Sequence, residues 1–128
     1  MANITKIVLI NNHTKNKVGI FNGENHSQHS ILPGRTWSGE ISVPWIREPS
    51  ENWKALKLTL GPTDNVYIYI FQDYWSPPYE DAVKYLQAQY MDYSGSTQEI
   101  PGHNRHGGNK TLTISQIGEN YYLKMDSV

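Results

Sequence analysis

Apolar and polar residues alternate along most of this chain in short runs broken by glycine, proline and asparagine, the pattern of half-buried β-strands joined by turns. Residues 4–10 predict a first strand, 11–16 a polar turn and 17–21 its hairpin partner, after which Asn22-Gly23 supplies a second turn. Residues 26–29 fit a loop or a short edge strand. Beyond the Pro33-Gly34 turn, 36–43 predict a third strand, and 44–52, with two prolines, an irregular loop beside the aromatic stretch that follows. Leu56, Leu58 and Leu60 alternate with Lys57 and Thr59, and a turn at 61–65 leads into Val66, so the flanking strands form a central hairpin. Val66, Ile68 and Ile70 alternate with Tyr67, Tyr69 and Phe71, which gives the second of these strands an aliphatic and an aromatic face, both needing cover. Strands at 111–117 and 121–125 close the pattern.

The periodicity changes after this strand. Ser76 followed by Pro77 is an N-cap with proline at the first helical position, and Glu80 and Asp81 suit the positive end of a helix dipole. Tyr79, Val83, Leu86, Tyr90 and Tyr93 fall at steps of three and four, and Gly95 supplies a stop. The expected fold is therefore all-β: one domain over residues 1–128, an antiparallel β-sandwich with one α-helix at about 77–91 packed on it.

Composition narrows the function. Eleven Lys+Arg against 12 Asp+Glu leave a net charge of -1, without the basic excess that nucleic-acid binding requires. Cysteine is absent, which removes disulfides, thiol catalysis and thiolate metal sites. The amino terminus reads as a strand and not as a signal peptide. Action outside the cell would then need a non-classical route, cell lysis or a precursor segment; otherwise the expected location is cytoplasmic. Lys15 and Lys17 are the few obvious edge guards, so a homo-oligomer through an edge strand is an expected partner state.

Residues 66–93 hold 9 of the 15 aromatic residues. Packing of strand against helix accounts for Tyr67, Tyr69 and Tyr90. Tyr74 and Trp75 stand apart, because rings in a loop before Pro77 and Pro78 have no packing role to explain them; such rings stack on sugars, cage quaternary ammonium groups or sit at a lipid boundary. Two HxxH pairs, His26 with His29 and His103 with His106, lie in loops without an acidic companion, and a solvated role fits them better than a metal site. Asp73, Glu80 and Asp81 could serve a small hydrolase as acid and base, but helix capping explains the latter two, and Ser76 lacks a nucleophile-elbow motif. The residues themselves thus favour a non-enzymatic binding protein, with neither metal nor cofactor expected.

The segments IVLINNHTKNKVGI, ILPGRTWSG, FQDYWSPPY and GGNKTLTISQI, in this order, resemble the layout of aegerolysin and actinoporin-like β-sandwich cytolysins and of fungal fruit-body lectins. The resemblance covers most of the chain in layout. It departs in a longer helix than aegerolysins show, and in lacking the amphipathic amino-terminal helix of actinoporins. It implies a secreted, membrane-binding toxin component that recognises a lipid headgroup such as phosphocholine through Tyr74, Trp75, Tyr79 and Tyr85, with a partner protein needed for a pore. The lectin side implies carbohydrate binding by the same rings, with Asp73, Asn104 or Arg105 hydrogen-bonding sugar hydroxyls.

Overall fold

The computed structural model describes residues 3–75 and 80–128 and is an all-β sandwich of two sheets. In chain order the strands are β1 (Thr5–His13), β2 (Val18–Asn22), β3 (Gln28–Ile31), β4 (Thr36–Ser42), β5 (Trp45–Ile46), β6 (Leu56–Leu60), β7 (Val66–Asp73), β8 (Val83–Gln87), β9 (Gln98–Glu99), β10 (Gly108–Ile117) and β11 (Asn120–Ser127). One sheet runs β11-β10-β1-β4. The other runs β3-β2-β6-β7-β8-β9, with β5 added beside the end of β7.

The sandwich is as the strand pattern predicts, but two parts of that expectation are corrected. Pairing is not wholly antiparallel, since β1 runs parallel to β10, and β5 parallel to β7. The helix expected at 77–91 is not formed either: residues 83–87 are strand β8, hydrogen-bonded antiparallel to β7 from Ile68 to Gln72. Ser76, Pro77, Pro78 and Tyr79 lie outside the described residues. The reason is the edge of β7. A strand buried on both faces leaves a row of unpaired amides beside it, and a ladder satisfies them where a helix would not. Among the described residues, helix is confined to a short 3-10 segment at Pro49–Lys54.

The core between the sheets is aliphatic and includes Ile7, Ile10, Leu58, Ile68, Ile70, Leu112 and Ile114. In β1 the buried positions Ile7 and Ile10 are three apart. The register shifts between Ile7 and Leu9 against both neighbours, with one extra residue on β1 relative to β10 and one extra on β4 relative to β1, and the phase of alternation shifts with it. The polar turn after β1 is held by buried Asn12, whose amide donates to the Asn16 and Ile31 carbonyls while its oxygen accepts from Thr14. At one side of the sandwich Trp37 of β4 packs on His29 of β3, ring centroids 4.9 Å apart, joining the edges of the two sheets.

A second cluster lies on the outer face of β7, where Tyr69 and Phe71 pack with Ile46 and Ala55, and Tyr67, Met91 and Tyr93 border them. Two segments roof it: the 44–55 connector, and 88–97, which folds back after β8.

Candidate functional site

The connector is held from within by one carboxylate. Glu51 accepts from the Arg47 amide at 2.8 Å and from the Arg47 and Lys54 side chains at 2.9 Å each. The Arg47 side chain first, then Lys54 and the Arg47 amide, hold the Glu51 carboxyl well below its usual range, at about 2. Gly23 abuts this segment so closely that a Cβ there would lie 2.0 Å from the Trp53 carbonyl oxygen, so only glycine lets the β2–β3 turn approach.

Three exposed rings hang from this connector. Trp53 belongs to it and is 62% exposed. Trp75, 59% exposed, donates its indole N–H to the Arg47 carbonyl at 3.0 Å and meets Tyr74 edge to face at 4.7 Å. Tyr90, 79% exposed, lies on the 88–97 segment, which is tied to the connector where the Tyr93 amide donates to Asn52 Oδ1 at 3.0 Å. Between Trp53 and Tyr90 is an open groove of about 310 Å³, walled by Phe21, Ala55, Tyr69 and Met91, with Asn52 and Lys57 as its polar members. Lys57 Nζ sits 4.1 Å from the Tyr67 ring centroid, which occupies that ring's cation-binding face from within.

The residues expected to form one patch are distributed among several places. Asp73 is buried: its Oδ1 accepts from the Trp75 amide at 3.1 Å and the Tyr93 hydroxyl at 2.8 Å, and its Oδ2 pairs with Lys84 at 2.9 Å. It therefore fixes Trp75 and Tyr93 in place. Burial, then the bond to Asp73, pushes the Tyr93 phenol above its usual range. Tyr85 leans inward against the aliphatic core and donates to Gln98 Oε1 at 3.0 Å, beside a separate hollow. Tyr79 is outside the described residues.

Asn104 and Arg105 line a third place, an open cavity of about 730 Å³ at the end of the sandwich. Asn104 is buried and donates to the Ile100 carbonyl at 2.7 Å. Arg105 grips Glu99 with two bonds of 2.8 Å and Glu80 with one of 3.0 Å. The bond from Arg105 holds the Glu99 carboxyl below its usual range. The loop carrying them is seated by Gly102, where a Cβ would lie 2.0 Å from the Met125 carbonyl oxygen, and by the His103 amide donating to that same oxygen at 2.7 Å.

The histidines are spread among ordinary contacts. His26 stacks on Phe21, His103 Nδ1 accepts from the Ser127 amide, and His106 Nε2 is 3.3 Å from Glu80. Among the described residues no group of three or more His, Cys, Asp or Glu side chains is placed to hold a metal ion. No helix of the described residues is long and apolar enough to cross a membrane.

Two features escape the sequence reading. Trp53 reads there as the start of a strand and Tyr90 as part of a packed stripe, yet both are exposed. Lys110, which precedes the strand expected at 111–117, is buried. Its position two residues before Leu112 and four before Ile114 in the same alternation is the signal that would have placed it inward.

Comparison with known proteins returns no match, whether to a family model, to a curated protein or to a solved structure.

Proposed function

We propose that this protein is a non-enzymatic recognition module that docks on lipid headgroups at a membrane surface through the Trp53–Tyr90 groove and the Tyr74–Trp75 ledge. The observation that carries the reading is the gathering of three exposed rings around one connector, Trp53 on it and Trp75 and Tyr90 on segments bonded to it, with Lys57 in the adjoining groove. Rings with a polar tip settle at a lipid boundary. In the cytolysin-like role that the resemblance implies, this face supplies attachment and a partner protein supplies the pore.

A sugar is the weaker fit, because a glycan site needs convergent hydrogen-bonding groups and those nearby are engaged in holding the roof. The Tyr69 hydroxyl donates to Gln89, Asn52 Oδ1 accepts from Tyr93, and both Asp73 oxygens have partners.

Co-sedimentation with liposomes of varied headgroup, with and without free monosaccharides, tests this. Binding should depend on headgroup, resist sugar and fall about tenfold or more in Trp53→Ala and Trp75→Ala, the worth of burying one large ring. Because Trp53 is exposed, its loss should change folding stability by no more than about 0.5 kcal/mol. Sedimentation with no vesicle, or binding abolished by a monosaccharide, would refute the lipid reading.

A further inference from the structure

We propose that the cavity at the end of the sandwich is a receptor for a phosphate-type oxyanion, with Lys110 as its charged floor. Lys110 lies on β10 at an inward position, in phase with Leu112 and Ile114, and is 3% exposed. Placing a cation in a sandwich core is costly unless something pairs with it. Among the described residues no carboxylate does, and its one hydrogen-bond partner is Ser127 Oγ at 3.2 Å. An ammonium has three donors, so two remain.

Glu80 and Glu99 line the same cavity with Arg105, which bonds both, and neither carboxylate forms an ion pair with Lys110. Asn104 Oδ1 is a buried acceptor with no hydrogen-bond partner, while Ser127 and His103 can present hydrogens. Ser127 Oγ accepts from Lys110, which leaves its own proton to donate. His103 accepts at Nδ1 from the Ser127 amide, so its neutral ring carries the proton at Nε2. The Lys110, Ser127 and His103 side chains thus line one opening whose carboxylates are already bonded to Arg105, which leaves the ammonium and the hydroxyl as donors for an anion. The compact charge of lysine suits phosphate oxygens, while the planar fork that would favour a carboxylate, Arg105, is already filled by Glu99. Burial pushes the Lys110 ammonium below the usual lysine range, and an anion in the cavity would reverse that push.

Calorimetric titration of inorganic phosphate onto the full chain should show saturable binding. It should weaken at least about tenfold in Lys110→Met, which loses the charged hydrogen bonds, and about threefold in Ser127→Ala. Lys110→Met should also raise the melting temperature, since it removes an uncompensated buried charge. If that variant fails to fold, Ser127→Ala, at an exposed residue, carries the test alone. A second arm compares phosphatidylcholine vesicles with and without phosphatidic acid. Retention by phosphatidic acid that is lost with the weakened variant identifies a lipid phosphate as the ligand, and phosphate binding without it identifies a soluble one. Absence of saturable phosphate binding, or affinity unchanged in the variants that fold, overturns the proposal.

Discussion

On one side of β7, Ile68 and Ile70 enter a core closed between two sheets and built of aliphatic side chains; on the other, Tyr67, Tyr69 and Phe71 enter a smaller cluster roofed by irregular segments. The difference lies in how each is sealed. Backbone ladders close the first around a cluster of aliphatic side chains, which need no partners. The second is closed by side-chain bonds: Glu51 to Arg47 and Lys54, Asn52 to Tyr93, Asp73 to Tyr93 and Lys84. Such a roof cannot cover every ring, and the uncovered ones, Trp53, Trp75 and Tyr90, are those assigned to recognition. On the proposed reading, stability rests on one side of β7 and binding on the rings above the other.

That separation can be broken from either side. Ile70→Ala should cost the most, about 2–5 kcal/mol in urea denaturation, while the folded fraction keeps its vesicle affinity. Asp73→Asn should cost less, up to about 3 kcal/mol, because it strands a largely buried Lys84. Unlike the first change it should also weaken vesicle binding, since Asp73 positions the Trp75 amide.

The mildest perturbation is acid. The Glu51 carboxyl lies at about 2 in the folded protein against an ordinary 4.5, a lowered value. Its contribution is therefore fully present above about pH 4.5 and is lost as pH falls from there through about 2. Tryptophan emission should change over that window in the wild type, and Glu51→Gln should remove the change.

Strands were legible wherever alternation was local: Leu56, Leu58 and Leu60 against Val66, Ile68 and Ile70 form the expected hairpin. The stretch after β7 was not, because a short window satisfies two periods at once. Val83 and Leu86 suit a helical stripe, but in the fold Val83 and Tyr85 share the inner face while Lys84 lies opposite Phe71 on the outer one. The choice is made by the open edge of β7, which no local pattern encodes. The site was half legible for the same reason. Tyr74 and Trp75 sit in a loop as expected, whereas the exposure of Trp53 and Tyr90 depends on how two distant segments roof the sheet.

The parallel ladder between β1 and β10 sets the order of events as the chain is made. Thr5 pairs with Gly108 and His13 with Ser115, so β1 is held between β4 and a strand roughly a hundred residues later in synthesis. Until β10 has left the ribosome, β1 keeps one bare edge and Ile7 and Ile10 lack Leu112 and Ile114 to pack against. The sheet that opens the sequence is thus among the last to be completed, and the nascent chain must keep its first strand from pairing elsewhere until then.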